Sequence, residues 1–186
     1  MSPQRRFVQR NKIVVVPMGE MDYALVNKLA SDLVSYFSVG VDILQGAKIP
    51  PEALNPQRGQ YYSTVILNKL ELMKSAPGER MLGLVDDDLY VPSQNFVMGD
   101  ADPIGKTALV SLFRLKRENY EIVDEQKVLY SRILKEAVHQ LGHLWGFEDC
   151  RNPKCVMYLA DGMDAVDRKG NKFCDNCLRR VKVRHR

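Results

Sequence analysis

The chain has 186 residues, enough for one domain with a sizeable core, and its 45% hydrophobic and 27% charged composition is that of an ordinary soluble globular protein. No apolar run approaches the roughly 20 residues that cross a bilayer, and the longest, Ile13 to Pro17, is too short and badly placed for a secretory segment, so a cytoplasmic protein is expected. Five of the charges behind the net +4 lie in Arg179, Arg180, Lys182, Arg184 and Arg186, which leaves −1 for the rest; such a basic end is ordinarily solvated, and no basic patch interleaved with aromatics elsewhere suggests nucleic-acid binding.

In chain order, Lys12 to Met18 (KIVVVPM) is short, β-branched and closed by a proline, and predicts a buried strand. Met21 to Phe37 carries Leu25, Leu29, Leu33, Val34 and Phe37 along one stripe and predicts a helix. Val39 to Leu44 reads as a second strand, Lys48 to Gly59 as a proline-bearing loop, and Tyr61 to Lys74 as a second helix closed by Ala76-Pro77-Gly78. Arg80 to Val91 contains a third strand, with Leu82, Leu84 and Val85 ahead of three aspartates. Asn95 to Met98 and Thr107 to Leu115 are the expected fourth and fifth strands. Glu125 to Trp145 is a long helix ended by Gly146. This alternation predicts an α/β fold, a mixed and mainly parallel sheet with helices on its faces. Phe147 to Arg186 differs, with two cysteine pairs and few apolar runs. The expected organisation is a single domain over 1–186, with a sheet-and-helix part (1–146) and a small metal-stapled C-terminal subdomain (147–186).

The long helix contains the stretch EAVHQLGHLWGFEDC, Glu136 to Cys150. His139 and His143 stand four apart, so both imidazoles leave one helix face a turn apart, a geometry that suits a shared zinc ion. Two buried histidines bonded to backbone would be the alternative. Gly142 allows a neighbouring segment to approach closely, and Gly146 supplies the reversal that brings following residues back toward the pair. Asp149 then stands where a third ligand should fall. Glu148 is a lesser carboxylate rival, and His185, the remaining histidine, would have to fold back from the tail. Glu136 shares the histidine stripe but sits a turn away, better placed to orient a ligand or a neighbour than to handle a proton.

Cys150, Cys155, Cys174 and Cys177 are all the cysteines present, spaced C-x4-C, 18 residues, C-x2-C. Two disulfides would suit an oxidising compartment; four thiolates in two pairs match a closed structural zinc site that adds folding free energy directly. Because Cys150 follows Asp149, the second metal would fix the loop carrying the third ligand of the first.

His139-xxx-His143-xx-Gly146-xx-Asp149-Cys150-x4-Cys155-Val156-Met157, followed by Cys174-xx-Cys177, resembles the signature of the archaemetzincins, small metzincin-clan zinc peptidases with one catalytic and one cysteine-bound zinc. Leu82 to Asp102 and Lys106 to Leu115 are similar to that family's strand region. The resemblance implies a twisted mixed sheet with an active-site helix beneath a cleft, two zinc ions, and a peptide or protein substrate. It makes Met157 the Met-turn, an apolar floor under the metal. It also places the strand Asn95 to Gly99 on the cleft border, where an extended peptide could pair with the edge, and Tyr90 and Phe96 either in side-chain pockets or in the core.

Two positions depart from the family pattern. Asp149 replaces a histidine, which lowers the formal charge of the metal site from +2 to +1 but is compatible with zinc peptidase chemistry. Gln140 replaces the glutamate that takes a proton from the zinc-bound water and delivers it to the leaving amine. An amide can hydrogen-bond that water and cannot accept its proton, a loss of roughly 10²–10⁴-fold, or about 3–5 kcal/mol of barrier. The expectation is an archaemetzincin-type metallopeptidase of impaired activity. The alternative is a non-enzymatic two-zinc protein that binds peptides or a partner through the old cleft.

Overall fold

The computed structural model describes residues 11–116 and 125–184. Its main sheet has five strands in the order β2-β1-β5-β9-β8. β1 (Lys12–Met18) lies between β2 (Gly40–Ile43) and β5 (Glu79–Val85) and is parallel to both; β9 (Thr107–Ser111) runs parallel to β5, and only β8 (Gly99–Asp102) is antiparallel to its neighbour. The expected mixed, mainly parallel α/β sheet is therefore present. Pro17 sits inside β1 because its missing N–H falls on the side where β2 has already ended; its carbonyl accepts from Ala47 instead.

Side chains alternate across this sheet. Ile13, Val15, Leu82, Leu84, Ala108 and Val110 face α1 (Tyr23–Phe37) and α4 (Glu125–Leu144), while Val14, Val16, Met81, Val85 and Leu109 face α2 (Ser63–Leu72). Burial on both faces is why β1 and β5 read as unbroken apolar runs rather than alternating ones. Asp22 caps α1 by accepting from the Ala24 amide.

Several expected elements come out differently. Arg80 to Val91 splits at the three aspartates into β5 and a separate β6 (Leu89–Val91). β6 belongs to a small second sheet, order β3-β4-β6-β7, built from β3 (Leu54–Asn55), β4 (Gln60–Tyr62) and β7 (Gln94–Val97). The chain then changes sheets at Met98. Thr107 to Leu115 is not one strand: β9 ends at Ser111, and α3 (Leu112–Leu115) is a single helical turn. The physical reason is the loss of partners, since β5 ends opposite Ser111 and β8 opposite Val110.

Beyond α4, Cys155, Val156, Met157, Val166 and Cys177 join the same buried cluster as Val138 and Leu141. An aromatic row ties this segment to the helices. Phe173 stacks on Phe147 at 4.3 Å between centroids and meets Phe37 edge-on at 6.0 Å, and Phe37 in turn stacks on Trp145 at 4.4 Å. Two short helices, α5 (Met163–Arg168) and α6 (Asp175–Arg184), complete the segment. Arg179 and Arg180 are exposed, while the side chains of Lys182 and Arg184 and the residues His185 and Arg186 lie outside the described part.

Candidate metal centre

From Lys135 to Gly142 every residue of α4 is buried, so this stretch runs through the middle of the molecule rather than along its surface. The helix ends in a Schellman motif. Gly146 adopts φ +85°, its amide donates to His143 O (3.0 Å), and the Phe147 amide donates to Gly142 O (3.1 Å). That turn sends the chain back across the exposed end of the histidine pair.

Backbone carbonyls hold both imidazoles. His139 Nδ1 lies 3.0 Å from Val156 O and His143 Nδ1 lies 3.0 Å from Phe147 O, and since a carbonyl only accepts, each Nδ1 carries the proton. Both Nε2 lone pairs are then left facing one another, 3.2 Å apart. Asp149 Oδ1 completes a triangle, 3.5 Å from His139 Nε2 and 3.6 Å from His143 Nε2. Three acceptors converging so closely repel unless a cation lies among them. Tetrahedral ligands about 2.0–2.1 Å from zinc are separated by about 3.3 Å, which matches the triangle. Burial pushes the His139 pKa below its ordinary value, which favours the neutral, ligating ring. Of the two carboxylates weighed from sequence, Asp149 joins this group and Glu148 does not.

Gly142 faces the sulfur of Met157: a Cβ there would come within 2.5 Å of Met157 Sδ, so the glycine lets the methionine sit directly against the helix between the two histidines. Met157 is fully buried, in the position of an apolar floor.

The four cysteines form a second group whose sulfurs all lie within 4.8 Å of one another. Cys150–Cys174 and Cys155–Cys177 are each separated by 3.8 Å, far beyond the roughly 2.05 Å of a disulfide and equal to the roughly 3.8 Å expected between tetrahedral thiolates on zinc. Backbone amides point at two of the sulfurs, Asn152 at Cys150 (3.4 Å) and Cys174 at Cys155 (3.3 Å). Burial raises the Cys155 and Cys177 pKa values; at Cys174 burial acts the same way but is outweighed by hydrogen bonds from Cys177 and its neighbours, which bring that thiol down to about 7. The two groups share the Asp149–Cys150 peptide, and the Cys150 amide is anchored on Met157 O at 2.8 Å.

A cleft of about 630 Å³ opens beside His139 and Gln140, walled by Phe96, Met98, Gly99 and Leu159. The expected border strand, Asn95 to Gly99, lines it along its whole length. Phe96 reaches the cleft, with the Arg114 guanidinium 4.3 Å from its ring; Tyr90 instead stacks on Tyr62 at 5.5 Å, with the Arg58 guanidinium 4.3 Å from its ring centre. Glu136 does not reach the metal group. It accepts a 2.6 Å bond from Lys169, with both side chains almost completely buried at the cleft floor. Lys169 escaped the sequence reading because it lies 33 residues from its partner, in a stretch resembling any solvated Asp-Arg-Lys run.

A model described as peptidase family M54 matches residues 11–183. The chain belongs to the archaemetzincin family. The archaemetzincin of Pyrococcus furiosus is 36% identical over 181 residues, covering 94% of each chain. Among solved structures, the archaemetzincin of Methanopyrus kandleri superposes with a TM-score of 0.82 at 30% identity, covering 95% of this chain and 96% of that one. A zinc-dependent peptidase from Methanocorpusculum labreanum gives a TM-score of 0.81 at 29% identity over 91% of this chain and 99% of its own. The metallopeptidase fold and its family are thereby established for this archaemetzincin.

Proposed function

We propose that this archaemetzincin is a single-domain, two-zinc, peptidase-type protein whose turnover is limited by Gln140. Zinc held by His139, His143 and Asp149 would supply Lewis acidity and a water of lowered pKa in the cleft. His139 and His143 present their Nε2 atoms because Val156 O and Phe147 O fix their tautomer, and Met157 supports the helix between them. Cys150, Cys155, Cys174 and Cys177 would hold the structural zinc and, through Cys150, the loop bearing Asp149. An extended peptide would lie along the 95–99 border, with side chains against Phe96 and Leu159. Four unpaired thiols favour a reducing, cytoplasmic setting.

The observation that carries the reading is the amide of Gln140 beside His139 on the cleft wall. Its shape suits a hydrogen bond to a water on the metal, yet it has no site for that water's proton. Glu136 offers no substitute, because its carboxylate is engaged by Lys169. The same observation favours the second reading, a cleft that binds peptides or a partner without cutting them.

Gln140→Glu separates the two. The first reading expects two zinc ions per chain by elemental analysis, little hydrolysis of a quenched-fluorescent peptide library, and a gain of about 10²–10⁴-fold on substitution. Persistent inactivity of the zinc-loaded variant would leave the binding reading standing.

A further inference from the structure

We infer that the face around the four cysteines, away from the cleft, binds the phosphate backbone of duplex nucleic acid. Residues 151–186 carry ten lysines and arginines against four aspartates, a net +6, which leaves −2 for the first 150 residues. Along the sequence the excess shows as a basic tail. The fold makes a surface of it, because three separate stretches carrying the charge are pinned to one set of sulfurs. Arg151 and Lys154 stand in the loop between Cys150 and Cys155, Lys172 two residues before Cys174, and Arg179 and Arg180 just after Cys177; all five are exposed.

Local bonds fix the three stretches to one another. The Asn152 amide donates to Cys150 Sγ (3.4 Å), and the Lys154 amide donates to Asn152 Oδ1 (3.0 Å), so the loop is a closed turn. The Val156 amide donates to Lys172 O at 2.9 Å, and Gly170 lies so near the Lys154 carbonyl that a Cβ there would stand 1.9 Å from its oxygen. α6 joins them through Cys174, whose sulfur is 3.8 Å from that of Cys150. None of the five cations takes part in an ion pair among the described residues. Of the neighbouring carboxylates, Asp149 is turned to the histidines, Glu148 lines a small crevice with Arg180, and Asp175 opens α6, so positive charge prevails.

A duplex presents one negative charge per roughly 1.7 Å of its axis, and cations held in place lose little freedom in meeting it. The patch has no platform for unpaired bases, because Phe173 is occupied by its contacts with Phe147 and Phe37. Nor does it suit a lipid surface: Leu178 is the one large apolar side chain exposed among the described residues of α6, at 39%. Backbone contact of this kind is independent of base sequence and strongly dependent on salt.

The test is fluorescence anisotropy of the zinc-loaded chain with a labelled DNA duplex of about 20 base pairs, beside one of its single strands and vesicles about one-third phosphatidylserine. Duplex affinity should fall about 10²-fold between about 50 and about 200 mM salt, the slope that roughly four neutralised phosphates give. The triple variant Arg151→Gln, Lys154→Gln and Lys172→Gln should bind about tenfold or more weakly at the lower salt and lose most of that slope, with zinc content and melting temperature unchanged. A triple variant that binds like the parent overturns the inference and leaves only the tail. If the triple variant does not fold, the parent chain decides alone: a fall of less than about fivefold over the same salt range overturns the inference. Preference for the single strand, or binding to the vesicles and not to DNA, overturns it as well.

Discussion

The four cysteines bring four sulfurs together, whereas His139, His143 and Asp149 bring together three donor atoms. Cys155 and Cys177 are buried, and a backbone amide points at the Cys155 sulfur; the side chain of Asp149 is 49% exposed, and the cleft opens beside His139. The closed group can contribute only stability. On the two-zinc reading, the open one would leave a coordination position for a ligand and need its geometry imposed from outside. Because Asp149 and Cys150 are adjacent, the closed group would impose it, so dependence between the sites should run mainly one way.

Removing a cysteine is the strongest test of that asymmetry. Structural zinc contributes on the order of 10 kcal/mol in small metal-folded domains, so Cys174→Ser should lower the melting temperature by about 10 °C or more. Zinc content should fall below one per chain, because the loop bearing Asp149 loses its anchor. Asp149→Ala should lower the melting temperature far less than Cys174→Ser and weaken only the cleft site, by more than the roughly 10–100-fold lost when a mere supporting partner of a ligand is removed. Elemental analysis with melting curves measures both. A Cys174→Ser chain that keeps full zinc in the cleft would end the one-way picture.

The cleft floor sharpens the contrast, since an ion pair holds it where the proposed structural zinc would hold the other region. Lys169→Met or Glu136→Leu alone strands a buried charge and should cost about 3–5 kcal/mol in urea denaturation, while the double substitution should be nearly neutral. Additive losses would mean that the two residues act separately. A smaller effect is expected between the regions: Gly142→Ala drives a methyl into Met157 Sδ, and an overpacked core of this kind loses about 1–3 kcal/mol together with cleft zinc affinity.

How legible each region was in the sequence follows from the same physics. The cysteine group and the histidine pair were readable because their chemistry depends on spacing within a short stretch, and Gly142 and Gly146 gave the backbone conditions. β1, β2 and β5 were readable as short β-rich runs. The small sheet was not, because strands such as β3 (Leu54–Asn55) and β6 (Leu89–Val91) are too short to show periodicity. Leu112 to Leu115 continues the apolar run of β9 yet forms a helical turn, because its neighbours end first, and only the register shows that. Lys169 is the clearest miss: its role exists only through a tertiary contact.

The weakest tie tested concerns the upper wall of the cleft. Arg114 grips Asp88 through two hydrogen bonds, and Gln60 joins Asp88 Oδ2 (2.9 Å) to the carbonyl of Asn95 (2.9 Å), tying β7 to β4 and to α3. Burial alone would raise the Asp88 pKa, but the bonds from Arg114 and Gln60 prevail and hold it below the ordinary value. A carboxyl whose folded pKa is depressed stabilises the fold above its unfolded pKa of about 3.9, and that contribution disappears as pH falls through the folded value. Asp88→Asn should therefore cost about 1–2 kcal/mol at pH 7, with the gap to the parent chain closing below about pH 4. Urea titrations of both chains at matched pH measure that gap. A gap that stays constant down to pH 2 would assign the loss to packing rather than to the charged clamp, and the upper wall would then owe its position to the stacking of Arg114 on Phe96.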